Sequence, residues 1–421
     1  MPESDTPVTA RPRLLLLSDA FDNRGGGEIV VGHLAGALRD RWDVAVLSTT
    51  RRTNEVVVED GLTVHRLHSA YHPRLRPYAT IFNPLVVPGV RHVLRDFRPD
   101  VVHAWNVHSH LSYSSLALAA RTGARVVLTY QDAQPFCYSK YKCWIDPSAP
   151  PVARPDYRAN PRSCASCKQH YWMLPPRNRL AATLLRRYVH EGVSVSQALA
   201  DALHDNGIPV RHVVPNGLPL RDTALTGASA ARARARHGWG DEPILITGGR
   251  LHHFKGHRLA VDAIARVVQM VPRARLVVLG DRSWFRDALE EQARGLGVAE
   301  RVSFPGFLDR ASYHDCVAAA AAFLNLSMYL DPFPTVNLES MALGVPVIGT
   351  CHGGTREAIV DGETGFIVNP YDLDTVVERA VELLTDGDLR ARLGAAGRAR
   401  VAEAFDVARM AARYEAVYRC A

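Results

Sequence analysis

Short, continuously apolar runs recur along the chain, each followed by a stretch of helical periodicity. The first half contains RLLLLSDA, DVAVLSTT, LTVHRLH, DVVHAWN and ARVVLTY, and the second half contains ILITGGR, RLVVLGD, RVSFPGF, AFLNLS and PVIGT. Runs that are apolar at every position are typical of strands buried on both faces of a parallel sheet. The alternation with helices therefore predicts an α/β fold made of doubly wound units.

The alternation is interrupted near residues 215–243, where the chain is polar and rich in Arg and Ala. Such a shift in composition marks a linker, so we expect domains at about 1–215 and 216–404. A second irregular stretch, about 131–176, contains eight prolines and four cysteines and is expected to be an insert in the first domain. Two doubly wound domains would form a ligand site between the carboxyl ends of their strands.

The composition is that of a folded protein, with 421 residues, 47% hydrophobic and 22% charged. It excludes a disordered chain and a small disulfide-stapled module. The formal net charge of +7 is compatible with phosphorylated ligands, nucleic acid or an anionic membrane surface. No apolar run reaches the ~18 residues of a membrane span, and the first residues, MPESDTPVTARPR, lack the apolar core of a secretory signal. We therefore expect a cytoplasmic protein whose membrane contact is at most peripheral.

Two glycines and two cations follow the run ILIT. Gly248 and Gly249 would let backbone N–H groups approach a phosphate, and Arg250 and Lys255 would supply positive charge to a diphosphate. A tight strand-to-helix turn with two solvated cations explains the same residues equally well.

The segment DPFPTVNLESMALGVPVIGT, residues 331–350, places two carboxylates around a predicted helix start. Asp331 precedes the helix, which opens near Thr335, and Glu339 lies within it. A helix N-terminus offers unpaired N–H groups to a phosphate, and the carboxylates could accept hydrogen bonds from sugar hydroxyls. A role as an ordinary acid of the first helical turn would explain Glu339 but not the whole segment.

Together, GGRLHHFKG and DPFPTVNLESMALGVPVIGT, with SVSQAL and VVPNG before them and HGGTREAIVDGETGFIV after them, resemble the retaining nucleotide-sugar glycosyltransferases of family 4. The resemblance runs over nearly the whole chain. It implies the GT-B fold, in which two Rossmann-like domains face each other across a cleft. It also implies that a final helix, within 405–421, returns to the first domain.

The resemblance also implies roles for individual residues. Arg250 and Lys255 would hold the donor diphosphate, and Asp331 would contact the donor sugar, so these three form the expected catalytic set. Glu339 would bind the ribose. The remaining donor-binding residues, acting mostly through their backbone, would be Gly26, Gly27, Gly249, Phe333, Pro334, Thr335, Val336 and Asn337.

Two positions depart from the family pattern. The family usually has Glu where this chain has Asp331, and His where VVLTYQDAQPFC has Gln131, whereas Asp132 is kept. An amide can hydrogen-bond a hydroxyl but cannot become a cation. Our hypothesis is an altered donor-sugar pocket, and the alternative is drift at tolerant positions. His108 matches a family branch that also carries cysteines, and we expect His108, Gln131 and Asp132 on the acceptor side of the cleft.

Four of the seven cysteines form a C-x5-C-x20-C-x2-C array: Cys137, Cys143, Cys164 and Cys167. Four thiolates with one C-x2-C pair are typical of a closed, structural zinc site. An iron–sulfur cluster or two disulfides would fit the same spacing. A similar cysteine insert occurs in one branch of family 4, which favours a single structural unit. No catalytic metal is expected.

The sequence therefore predicts a retaining glycosyltransferase. It would move a sugar from a nucleoside-diphosphate donor to a hydroxyl of a small molecule or glycan, in secondary-metabolite or cell-surface glycan synthesis. The alternatives are a nucleotide-sugar epimerase of the same fold and a non-catalytic scaffold that binds sugar nucleotides. The basic stretches 175–190 and 231–239 lack the interleaved aromatic residues of a nucleic-acid platform, so no nucleic-acid partner is expected.

Overall fold

The computed structural model of the protein describes residues 11–22, 26–137, 148, 157–159, 164, 175–220, 227–280 and 283–419. Within these ranges the chain forms two separate sheets, of eight and six strands. Apolar side chains from both faces of each sheet enter buried clusters formed with the surrounding helices. The predicted fold class, two doubly wound α/β domains, is confirmed.

The first sheet has the strand order β3-β4-β2-β1-β5-β6-β7-β8, and all its pairings are parallel except that of β3 with β4. Its strands are β1 (Arg13–Ser18), β2 (Asp43–Thr50), β3 (Glu55–Glu59), β4 (Leu62–His68), β5 (Val101–Trp105), β6 (Arg125–Tyr130), β7 (Glu191–Ser194) and β8 (His212–Val213). The helices of this part are α1 (Gly26–Leu38), α2 (Arg76–Ala79), α3 (Val87–Phe97), α4 (Ser114–Ala120), α5 (Pro175–Tyr188) and α6 (Gln197–Asp205), with a 3-10 turn at Pro73–Leu75.

The second sheet is parallel throughout, in the order β11-β10-β9-β12-β13-β14. Its strands are β9 (Ile244–Gly248), β10 (Arg275–Leu279), β11 (Val302–Gly306), β12 (Ala322–Asn325), β13 (Val347–Thr350) and β14 (Gly365–Val368). The helices are α7 (Gly227–His237), α8 (His257–Met270), α9 (Trp284–Gly295), α10 (Arg310–Ala318), α11 (Thr335–Ala342), α12 (Thr355–Ala358), α13 (Leu373–Thr385), α14 (Gly387–Ala404) and α15 (Val407–Arg419), with 3-10 turns at His253–Lys255 and Ala299–Arg301.

Strand β1 shows why these runs are apolar at every position. Leu15 and Leu17 enter the core on one face of the sheet, and Leu14 and Leu16 enter the core on the other. All ten predicted apolar runs contain a strand. The strands that the pattern did not identify are short or lie at a sheet edge, as β3 does, where the Val58 side chain is 74% exposed.

The last helix, α15, packs against α1 and the first sheet, although the preceding helices belong to the second. Its Tyr418 hydroxyl lies 2.8 Å from Nδ1 of the buried His103 in β5. The indole Nε1 of Trp42 donates a 3.0 Å hydrogen bond to the buried carboxylate of Glu415. The first structural unit is therefore completed by the end of the chain. The domain limits 1–215, 216–404 and 405–421 themselves stay predictions.

A carboxylate of the second unit also caps a helix of the first. Glu357 in α12 accepts hydrogen bonds from the backbone N–H groups of Gln197 and Ala198, at 2.8 and 2.9 Å. These N–H groups belong to the first turn of α6, where no intrahelical acceptor is available. The two units are thus joined by a hydrogen-bonded cap as well as by the returning helix.

The basic segment 175–190 forms helix α5, with Ala181 and Leu185 buried in the core of the first unit. Arg177 at its start is buried and donates hydrogen bonds to the carbonyl oxygens of Pro77, Gln134 and Pro135. Within the described residues no helix is both long enough and apolar enough to cross a lipid bilayer.

We expect Glu415→Ala to lower the free energy of unfolding of the first unit by about 1–3 kcal/mol, because the buried Trp42 N–H loses its acceptor. Urea titration followed by tryptophan fluorescence measures this change. Arg419→Ala is the matched control, since that side chain is 72% exposed and contacts the same carboxylate at 3.7 Å. The control should lose less than about 0.5 kcal/mol. Equal losses in both variants would contradict the anchoring role.

Candidate active site

A cleft of about 910 Å³ lies between the two sheets. It is lined by the loops that follow β1, β5 and β6 in the first sheet and β9 and β12 in the second. In each sheet the strand order reverses at this point, between β1 and β5 and between β9 and β12. The cleft therefore occupies the place where doubly wound sheets bind ligands.

The N-termini of two helices meet across this cleft. Helix α1 begins at Gly26 and helix α11 begins at Thr335, and a Cβ atom on Gly26 would lie only 3.2 Å from the Thr335 hydroxyl oxygen. A Cβ atom on Gly27 would lie 2.8 Å from the Asn106 side-chain nitrogen. Both helix ends carry unpaired N–H groups and a partial positive charge. The arrangement suits a ligand anion held between the two units.

Lys255 provides a full positive charge beside these helix ends. Its Nζ atom lies 2.6 Å from the Asp331 carboxylate, and the Ser327 hydroxyl donates to the same carboxylate oxygen at 3.1 Å. Burial by itself lowers the pKa of Lys255, but Asp331 and the nearby Tyr329 reverse this effect and raise the net pKa. The lysine therefore stays protonated, and Asp331 is fixed by two donors.

Glycines allow the β9 loop to approach the cleft. Gly256 adopts a φ of 74°, and a Cβ atom there would lie 2.0 Å from the carbonyl oxygen of Leu326. Gly249, with a φ of 107°, also lines the cleft. Between them, Arg250 is exposed at the cleft wall, and its carbonyl oxygen lies 3.4 Å from Nε2 of the buried His257. The local sequence thus presents Arg250 and Lys255 on the same side of the cleft.

A chain of hydrogen bonds links the two walls. Gln131, which follows β6, donates to the Asn216 side-chain oxygen at 3.2 Å, and Asn216 donates to the Phe333 carbonyl oxygen at 3.1 Å. Phe333 belongs to the loop before α11 and is itself buried. Gln131 is therefore linked through Asn216 to the loop that precedes α11, which we call the donor-side loop.

His108 and Asp132 lie together on the wall of the first unit. Their side chains approach to 3.6 Å, and Asp132 also accepts the backbone N–H of Gln134 at 2.9 Å. The Thr80 hydroxyl donates to the His108 carbonyl oxygen at 2.7 Å. The sequence placed both residues in the cleft, and both line it in the structure.

Two expected donor-binding residues do not line the cleft with the others. The Asn337 side chain is buried instead. Its Oδ1 accepts a 2.8 Å hydrogen bond from Nδ2 of Asn325, and its Nδ2 donates to the Thr355 hydroxyl at 3.3 Å. Glu339 is partly buried in α11, where burial raises its pKa to about 7 against the opposing charge of Arg310. The predicted residues that do line the cleft are Gly26, Gly27, His108, Gln131, Asp132, Gly249, Arg250, Lys255, Asp331, Phe333, Pro334, Thr335 and Val336.

Sequence reasoning missed Asp19, which directly follows β1. Its carboxylate accepts hydrogen bonds from the backbone N–H groups of Ser109, His110 and Leu111, at 2.6 to 2.8 Å. These bonds hold the loop after β5. A signal was present, because a carboxylate directly after a buried strand lies at the carboxyl edge of the sheet.

The chain matches two protein-family models. Residues 24–222 match the model described as "Glycosyltransferase Family 4", and residues 230–400 match the model described as "Glycosyl transferases group 1". The chain carries the two domains of a GT-B glycosyltransferase. The sequence resemblance to family 4 and the GT-B fold are thereby confirmed at this level.

Curated relatives of this glycosyltransferase act on different substrates. A GDP-mannose-dependent alpha-(1-6)-phosphatidylinositol monomannoside mannosyltransferase of Mycolicibacterium smegmatis is 29% identical over 314 residues, covering 66% of this chain and 80% of the relative. An N-acetyl-alpha-D-glucosaminyl L-malate synthase of Bacillus anthracis is 34% identical over 180 residues, covering 42% of this chain and 45% of the relative. The chain thus aligns with less than half the length of the second relative.

Solved structures share the fold of the glycosyltransferase along its whole length. Sucrose-phosphate synthase from Thermosynechococcus elongatus superimposes with a TM-score of 0.75 at 22% identity, covering 97% of this chain and 98% of that one. Anabaena HepE in complex with UDP superimposes with a TM-score of 0.71 at 20% identity, covering 96% and 99%. At these identities the likeness shows the fold alone.

These matches do not show that the chain belongs to the branch of the family whose insert carries four cysteines. Of the four cysteines, the structure describes the half-buried Cys137 and the exposed Cys164, whereas Cys143 and Cys167 lie outside the described residues. In the part of the chain that the structure describes, no three His, Cys, Asp or Glu side chains are grouped closely enough to hold a metal ion. The metal site of the glycosyltransferase stays a prediction.

We expect Gly27→Ala to weaken nucleoside-diphosphate binding at least about tenfold, because the new Cβ atom would displace Asn106 and the helix end that faces the ligand. Titration calorimetry with UDP and with GDP measures this. Gly36→Ala is the matched control in the same helix, since its Cβ atom would meet nothing within 4 Å. That variant should bind normally, and its helix should be stabilised by roughly 0.5–1 kcal/mol. Normal binding by Gly27→Ala would contradict the role of the α1 terminus.

Proposed function

We propose that this protein is a retaining glycosyltransferase that moves a sugar from a nucleoside-diphosphate donor to an acceptor hydroxyl. One observation carries the proposal: the N-termini of α1 and α11 meet within the same cleft as Arg250 and Lys255. Two helix ends and two cations form a site for a group with several negative charges. A diphosphate that gains charge as it leaves the sugar fits this site.

The reaction requires electrostatic stabilisation more than a protein nucleophile. The bond between the sugar carbon and the diphosphate breaks, the acceptor oxygen bonds to that carbon on the same face, and the acceptor proton passes to a diphosphate oxygen. Arg250, Lys255 and the start of α11 would stabilise the departing charge. Asp331 would contact the donor sugar from a carboxylate that Lys255 and Ser327 hold through one oxygen.

The donor-sugar pocket would be formed by the loops around Asp331 and Gln131. Asp331 is shorter than the usual Glu, and Gln131 is hydrogen-bonded through Asn216 to the donor-side loop. These contacts support the hypothesis of an altered sugar preference. Relatives include a GDP-mannose enzyme, and neighbouring structures hold UDP or UDP-glucose, so both nucleotides belong in the donor screen.

Neither alternative function is favoured by the comparisons. An epimerase would convert the donor without an acceptor, and a scaffold would bind the donor without releasing nucleotide. Release of nucleoside diphosphate, measured with and without an acceptor extract, separates the three. The cytoplasmic location and the pathway, secondary-metabolite or cell-surface glycan synthesis, stay predictions.

We expect Arg250→Ala and Lys255→Ala each to lower donor turnover at least about 100-fold, by analogy with the loss of an oxyanion donor. Arg258→Ala is the matched control, because Arg258 is an exposed cation of α8 that hydrogen-bonds Gln292 away from the cleft. Release of nucleoside diphosphate from the donor is the measurement. Near-normal turnover in either cleft variant would refute the assigned role.

We further propose that Cys137, Cys143, Cys164 and Cys167 bind one structural metal ion, with zinc as the leading candidate. The spacing of the thiols supports the proposal. No step of the transfer depends on this metal. Its contribution would be to fold an irregular, proline-rich insert.

Elemental analysis of protein purified without chelator should find about one zinc per chain if the site is tetrahedral. Cys164→Ser should lose this metal, whereas Cys351→Ser should keep it, because Cys351 is buried beside β13. A metal-free wild type in which the four insert thiols react with a thiol reagent would contradict the proposal.

A further inference from the structure

The acceptor side of the cleft contains two arginines that the reaction scheme leaves unused. Arg51 directly follows β2, and Arg76 begins α2. Both line the same cleft as Lys255, but they belong to the first unit, on the opposite wall. Neither was identified from the sequence, and neither belongs to the donor-side loops.

The same wall of the cleft includes the loop that carries His110. Nδ1 of His110 lies 2.9 Å from the Ser69 hydroxyl, and its carbonyl oxygen accepts a 2.6 Å hydrogen bond from the Asn83 side chain. The Tyr71 ring packs on the His110 ring at 4.9 Å, and its hydroxyl donates to the Ser109 carbonyl oxygen. The loop that carries His110 is therefore held by three neighbouring side chains.

Both guanidinium charges act on His110. Burial lowers the pKa of His110, and Arg51 and Arg76 lower it further, whereas Asp19 raises it. The two positive charges are therefore near the same imidazole ring.

Most of the negative charge on this wall is already engaged. Asp19 accepts three backbone N–H groups, and Asp132 accepts one and lies beside His108. Glu28, in the first turn of α1, also lines the cleft. Arg51 is exposed and has no hydrogen bond or ion pair with any residue that the structure describes. Its charge is therefore available to a ligand.

We propose that Arg51 and Arg76 bind an anionic group, a phosphate or a carboxylate, on the acceptor. This inference rests on the proposed function and deepens it by naming the substrate class. A neutral sugar hydroxyl needs no guanidinium partner, whereas planar guanidinium groups match phosphate and carboxylate oxygens well. The acceptor anion would be fixed on the first wall and the donor diphosphate on the second, with the reacting hydroxyl between them.

A binding experiment tests the pocket without turnover. Inorganic phosphate is titrated by calorimetry into protein saturated with UDP or GDP, at constant ionic strength, so that the donor side is filled. The R51A/R76A double variant should bind phosphate roughly tenfold more weakly than wild type. The R52A/R74A double variant is the matched control, because both side chains are exposed and neither lines the cleft. Equal phosphate affinity in the two double variants would overturn the inference.

A transfer experiment tests the substrate class. UDP-glucose and GDP-mannose are offered with glucose, glucose 6-phosphate or glucuronate, and with inositol or phosphatidylinositol in mixed micelles, and products are identified by mass spectrometry. Wild type and R52A/R74A should prefer an anionic member over its neutral partner by roughly 100-fold in kcat/KM, and R51A/R76A should lose that preference. The arms separate a soluble phosphate, a carboxylate and a lipid phosphate.

The two proposals fail in different ways. Equal transfer to glucose and to its anionic counterparts would overturn the acceptor inference and leave the glycosyltransferase function standing. Absence of both transfer and nucleotide release with every donor would overturn the proposed function. In that case the phosphate titration still decides whether Arg51 and Arg76 form an anion site.

Discussion

The cleft depends on the meeting of two positive helix ends. Each helix N-terminus carries about half an elementary charge, so α1 and α11 repel each other when nothing lies between them. Lys255 lies beside these helix ends and is paired with the Asp331 carboxylate at 2.6 Å. An anion in the gap converts the repulsion into attraction for both units. A diphosphate bound in the gap would therefore hold the two helix ends, and the units that carry them, together.

The carboxylates of the cleft mainly organise the protein. Asp19 holds the loop after β5, Asp132 holds the turn after β6, and Asp331 holds Lys255. Each of these acids accepts hydrogen bonds from protein groups, which compensate its charge. The positively charged groups that line the cleft are helix ends, Lys255 and guanidinium groups. The cleft therefore suits an anionic ligand even though acidic and basic residues are both present.

The two units are joined by contacts that involve few residues. Glu357 caps α6 across the interface, Asn216 links Gln131 to the donor-side loop, and α15 returns to the first sheet. Because these contacts are hydrogen bonds at helix ends and loops, they restrain the relative position of the units at the cleft. The geometry of the cleft therefore depends on contacts between the units as well as on the residues that would bind the ligand.

The fold class, ten of the strands and the placement of Arg250 and Lys255 in the cleft could all be predicted from the sequence. A strand that is buried on both faces is apolar at every position of its own segment, and the residues around Arg250 and Lys255 form one contiguous motif. The partners of Asp19 and the presence of Arg51 and Arg76 in the same cleft do not follow from the sequence. Strand order brings Asp19 to its hydrogen-bond partner Ser109, 90 residues away. The return of α15 brings Glu415 to its hydrogen-bond partner Trp42, 373 residues away. These contacts become visible in the folded protein alone, because no local sequence pattern encodes which distant segments become neighbours.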